Sequence, residues 1–124
     1  MSDWVLSLLV FVGGGTGAIA RFWIGRWLAT PSGFPWTTFS INVAGSFLLG
    51  ILVIVLKDRP GWLVLLGAGF CGGFTTFSSF SLETLRMLEE QAYWTAGAYA
   101  VGSVIAGLIG VWLGVRISAV IELF

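Results

Sequence analysis

Hydrophobic positions fall into four long runs separated by short polar turns. The first extends from about Trp4 to Leu28, the second from Trp36 to Leu56, the third from Gly61 to roughly Leu82 and the fourth from Tyr93 to Val115. About 20 apolar residues in a helix cross a hydrocarbon core, so each run predicts a transmembrane helix. Ala29 to Pro35 reads as a turn punctuated by Pro31, Gly33 and Pro35, and Lys57, Asp58, Arg59 and Pro60 form a short polar hairpin. Trp4, Trp23, Trp27, Trp94 and Trp112 lie near the ends of runs, where aromatic rings anchor to the membrane interface. The first run is longer than a signal h-region, and only Ser2 and Asp3 stand where a basic n-region would be, so it reads as a retained span.

Polar positions inside the runs are patterned. In the second run Thr38, Asn42, Gly45 and Ser46 recur at helical spacing and share a face. The Asn42 amide there serves either to tie two helices together or to line a pathway as a donor. The third run contains Gly69-Phe70-Cys71-Gly72-Gly73-Phe74-Thr75-Thr76-Phe77-Ser78-Ser79-Phe80-Ser81. Irregular backbone persists in a bilayer only where protein or a water-filled cavity covers it, so this stretch predicts a helix broken mid-membrane at a site. Gly72 and Gly73 let the backbone leave helical geometry and free carbonyl oxygens. Phe74, Phe77 and Phe80 stand three apart on one face, either as a packing stripe or as ring edges for an anion, with Thr75, Thr76, Ser78, Ser79 and Ser81 supplying hydroxyls between them. In the fourth run Tyr99 and Ser103 are four apart, so their hydroxyls can extend the polar track or bond back to their own helix. Glu83, just after the interruption, can pair with Arg86, cap a half-helix or shape a vestibule, the pairing being favoured. Gly13, Gly14, Gly15 and Gly17, and Gly110 with Gly114, offer smooth faces for close helix contact.

With 57% hydrophobic and 10% charged residues among 124, and a mean hydropathy of +0.97, the chain cannot coat a soluble globule and reads as one all-α membrane domain. Zero net charge and no basic cluster argue against a nucleic-acid partner. The absence of histidine removes the commonest metal ligand and neutral-pH proton carrier, which disfavours an enzyme; the single cysteine, Cys71, excludes an internal disulfide. Arg21, Arg26 and Arg86 on one side balance Lys57, Arg59 and Arg116 on the other, so the positive-inside rule gives no preferred orientation. Copies inserted both ways can pair about a two-fold axis in the membrane plane, an antiparallel dual-topology homodimer. Freed carbonyls meeting at such an axis suit a hard cation, and with no carboxylate at that depth a monovalent one. Arg26 is placed to snorkel to headgroups, while Arg21, deeper, either anchors or draws anions into a vestibule.

Three stretches together resemble the Fluc (CrcB) fluoride channels: Gly13 to Arg21, Thr38 to Gly50, and above all Gly69 to Glu83. The resemblance spans essentially the whole chain. It implies a multi-pass protein of the bacterial plasma (inner) membrane, an antiparallel homodimer that lets cytoplasmic fluoride out passively and confers fluoride resistance. It also implies a structural sodium ion at the centre of the dimer interface, held by the backbone carbonyls of Gly72 and Thr75. By the same resemblance Phe77 and Phe80 face fluoride with their ring edges, Asn42 is the pore asparagine, and Ser78, Ser79, Tyr99 and Ser103 form the polar track; Thr38, on the face of Asn42, joins the candidate pathway, and Arg21 its vestibule. The alternative is a small dual-topology multidrug/proton antiporter, which shares the short helices and balanced charge. It needs a membrane-embedded carboxylate, and the first helix has only Asp3 at its mouth.

Overall fold

The computed structural model describes residues 1–29 and 33–124, so Pro31 of the expected first turn lies outside the described residues. Helix α1 covers Asp3–Trp27. Ser2 caps it by accepting from the Val5 N–H, and Asp3 in the first turn complements the helix dipole. Helix α2 is Trp36–Val55. The third span, Pro60–Glu89, is composite. We call its first part, residues 60–74, α3: it opens on a turn at Pro60–Leu63, widens to π-helical geometry over Val64–Cys71 and tightens again at Gly72–Phe74. Its second part, α4, is Phe77–Glu89, and α5 is Tyr93–Ile121, extending past Val115 where the apolar run was expected to stop. These four spans are long and apolar enough to cross a membrane, and their surfaces are covered with exposed Trp, Phe, Leu, Ile and Val side chains, as lipid contact requires. The chain is a multi-pass helical membrane protein.

Between α3 and α4 the backbone departs from helix, but not at the glycines. Gly72 is helical, at φ −62° and ψ −39°. The departure falls on Thr75 (φ −81°, ψ 158°) and Thr76 (φ −147°, ψ 114°), both extended. The glycines serve packing instead. A Cβ on Gly17 would collide with the Phe70 carbonyl, one on Gly13 with the Leu65 carbonyl, and one on Gly73 with the Gly14 carbonyl. Gly13 and Gly17 on α1 therefore interlock with Gly69 and Gly73 on α3, two four-residue spacings set backbone against backbone. Inside lipid such close approach maximises dispersion contact where no hydrophobic force draws helices together. Helices α2 and α5 use the same device: Gly50 faces the Val111 carbonyl and Gly114 the Phe47 carbonyl.

An aromatic knot ties α4 to α5 and to the segment before α2. Tyr99 is fully buried, with its ring 5.1 Å from Phe80 and 5.4 Å edge-on to Phe34. Gln91, at φ 61°, turns the chain between α4 and α5, and the Ala92 N–H bonds to the Met87 carbonyl at 2.8 Å. At the opposite end Lys57 Nζ donates to Glu122 Oε2 at 2.9 Å, and this hydrogen bond holds the exposed Lys57 ammonium above its ordinary pKa.

Candidate functional site

The site grows from Asn42. Its Oδ1 accepts the Thr76 N–H at 2.8 Å and its Nδ2 donates to the Thr76 carbonyl at 3.1 Å, so one side chain on α2 satisfies both backbone groups of an extended residue. Of the two sequence-level readings of Asn42, the structure displays a tie between elements, and one of its two amide hydrogens is left over. Thr76 then caps α4: its Oγ1 accepts the Ser79 N–H at 3.1 Å and lies 3.2 Å from the Ser78 hydroxyl. The Gly72 and Thr75 carbonyls lose their helical donors as a result. The Thr76 N–H would have closed on Gly72, and the Ser79 N–H on Thr75; both donors are engaged elsewhere. At the same junction the Arg21 Nε donates to the Gly73 carbonyl at 3.2 Å, placing a cation at the C-terminal end of α3 where the dipole favours it.

Beside this junction lies a groove of about 500 Å³. Asn42, Thr76, Phe77, Phe80 and Ser103 line it, with Gly72 and Thr75 at its edge. Phe77 and Phe80 sit together, ring centroids 5.6 Å apart, and Phe77 is 79% exposed. Among the described residues the Ser103 hydroxyl, buried at the groove wall, has no hydrogen-bond partner, which leaves it a donor without an acceptor. Phe74 does not join this aromatic face. The extended residues rotate it away, and it is buried with its ring stacked on Phe70 at 5.5 Å.

Thr38 and Tyr99 are placed elsewhere. The Thr38 hydroxyl donates to Glu83 Oε1 at 2.7 Å and the Tyr99 hydroxyl to Glu83 Oε2 at 2.6 Å. Glu83 is thus clamped by two hydroxyls, one on each oxygen, rather than paired with Arg86 as the sequence suggested. The clamp borders a second hollow of about 500 Å³, which Thr38, Glu83, Arg86 and Glu90 help to line. Ser78 and Ser79 belong to the first turn of α4 rather than the groove wall. Two residues carry more than sequence reasoning gave them: Thr76, as the cap and the clamped residue, and Glu83, as the hub for Thr38 and Tyr99. A hydroxyl directly preceding the amphipathic Phe77–Glu89 segment is an N-cap signature, and it was available for Thr76.

Charged groups among the described residues do not gather into a cluster of metal-ligating His, Cys, Asp or Glu side chains. What gathers instead are neutral groups: two carbonyls without their helical donors, an amide, a hydroxyl and two aromatic rings. These groups sit within a small multi-pass helical membrane protein. The chain belongs to the CrcB family: a model of the CrcB-like protein, Camphor Resistance (CrcB), matches residues 8–115. It is similar to the fluoride-specific ion channel FluC of Oceanobacillus iheyensis, 45% identical over 115 residues covering 90% of this chain and 89% of that protein. The fluoride-specific ion channels FluC of Gloeobacter violaceus and Novosphingobium aromaticivorans are 44% and 45% identical, covering 87% and 90% of this chain and 91% and 94% of theirs.

Proposed function

We propose that the protein is a fluoride channel, not an enzyme, which lets cytoplasmic fluoride leave a bacterial cell passively across the inner membrane. The observation that carries the reading is the groove at the α3–α4 junction, which the Ser103 hydroxyl, without a partner among the described residues, lines together with Asn42, Phe77 and Phe80. Positive ring edges and neutral donors hold a small, strongly basic anion without a fixed charge to trap it, the balance between entry and escape that conduction needs. The membrane potential, about 2.3 kcal/mol per charge per 100 mV, drives the anion outward without a coupling residue. Phe77 and Phe80 line the path, Asn42 and Ser103 supply polar contacts along it, Ser78 and Ser79 act behind it by holding Thr76, and Thr38, Tyr99 and Glu83 continue it toward the second hollow. Arg21 borders the vestibule.

In the same reading the discontinuity between α3 and α4 lies mid-membrane, and two chains of opposite orientation meet there as an antiparallel homodimer. The exposed face of Gly72, where a Cβ would meet nothing within 4 Å, leaves room for a second backbone. Sodium fits the residues present, because the Gly72 and Thr75 carbonyls lack the N–H partners a continuous helix would give them. Those two carbonyls from each copy would hold the ion, whose part is to bind the two junctions together. A multidrug/proton antiporter is less well supported, since Glu83, the carboxylate it would exchange protons on, is already held by two hydroxyls.

The deciding experiment is halide efflux from liposomes containing the purified protein. Fluoride should leave rapidly and chloride hardly at all, and Phe80→Ile should slow fluoride at least tenfold. Equal loss of both halides would end the reading.

A further inference from the structure

We propose that the chain carries two binding sites for the phosphate of an anionic phospholipid, one in each leaflet, each built on an arginine laid over aromatic rings. At the end of α1 the Arg26 guanidinium lies 5.8 Å from the Phe22 ring centroid and 5.9 Å from that of Trp23. Those rings belong to a continuous shelf: Phe22 meets Trp23 edge-on at 5.5 Å and Trp23 meets Trp27 at 6.0 Å. At the far end of α5 the Arg116 guanidinium lies 5.8 Å from the Trp112 ring. The chain crosses the membrane three more times after α1, so the C-terminal ends of α1 and α5 emerge on opposite sides.

The chemistry singles out these two cations. Among the described residues the ion pair is Lys57 with Glu122, and neither Arg26 nor Arg116 has a carboxylate within reach. Arg21 is engaged by the Gly73 carbonyl. A guanidinium resting on a ring by its face keeps its N–H edge free, and that planar fork matches two phosphate oxygens. Trp23, Trp27 and Trp112 are exposed by 46%, 74% and 55%, at the depth where indole N–H groups meet headgroups. Opposite charge, a planar fork and apolar rings for the upper acyl chains select a phospholipid that carries net negative charge. Because one site faces each leaflet, the pair serves either orientation of the chain equally. The inference stands apart from the identity of the ion in the groove.

Native mass spectrometry of the purified protein, with phosphatidylglycerol or phosphatidylcholine added, tests it. Wild type should retain two phosphatidylglycerols per chain, Arg26→Gln and Arg116→Gln one each, and the double variant none, while phosphatidylcholine is released from all. Arg59→Gln, which removes an arginine that has no ring beneath it, should retain two, and Arg26→Lys, which keeps the charge without the fork, should hold its lipid more weakly. Added inorganic phosphate should not displace the lipid. Circular dichroism of the double variant should match wild type, so that lipid loss is not unfolding. Full retention by the double variant, equal loss in Arg59→Gln, or displacement by inorganic phosphate would overturn the proposal.

Discussion

Replacing Asn42 with alanine removes both hydrogen bonds that hold Thr76 extended. Each orphaned backbone group costs about 1–3 kcal/mol when buried. Thr76 is buried, so even the lower end of that range for both groups makes the loss at least about 2 kcal/mol. At about 1.4 kcal/mol per decade, that is roughly a 30-fold shift in the folding equilibrium. The damage should also be local, because the Thr76 N–H, once released, can close on the Gly72 carbonyl and extend α3 by a residue. Two measurements separate the effects. A denaturant titration in detergent should show the stability loss, and fluoride efflux from liposomes below the melting range should show a drop of at least tenfold. Asn42→Asp keeps the acceptor for the Thr76 N–H, so it should lose less stability than alanine yet conduct as poorly, because a carboxylate there repels an anion. An Asn42→Ala protein that matches wild type in both stability and efflux would refute the clamp.

Gly17→Val should weaken the α1–α3 interlock by several kcal/mol or prevent assembly, since the new Cβ meets the Phe70 carbonyl, whereas Gly15→Val, which meets nothing within 4 Å, should melt within about 0.5 kcal/mol of wild type. Protein kept in sodium-free buffer should lose dimer and fluoride efflux, with potassium restoring little; equal behaviour in both salts, followed by size-exclusion chromatography and efflux, would remove the central ion. A cysteine placed at Asp58, in the Cys71→Ser background, should be labelled by an impermeant thiol reagent from both sides of the membrane, and one-sided labelling would remove the antiparallel pairing.

The four spans were legible because hydropathy over 20 or more residues is a strong signal. The neighbourhood of the third-span junction was legible too, from glycines and hydroxyls where lipid would favour leucine. Its position was not. Sequence reasoning put the departure on Gly72 and Gly73 because glycine permits it, yet permission is not cause: a tertiary acceptor, Asn42 Oδ1, draws the Thr76 N–H out of the helix, and the glycines remain helical against α1. The π-helical turns at Val64–Cys71 left no pattern to read. The partners of Glu83 were hidden for a related reason. Arg86 is its neighbour along the chain, but Thr38 and Tyr99 reach it from helices 45 and 16 residues distant, and only the fold brings them there.

The glycine interlock has a mechanical consequence. Where two main chains touch, no side chain stands between them to change rotamer, so α1 and residues 60–74 behave as one stiff plate. Residues 77–89 hang from that plate by two extended threonines and are steadied by an amide and an aromatic knot. The Phe77 and Phe80 rings therefore take their position relative to the plate from the two bonds that Asn42 makes to Thr76.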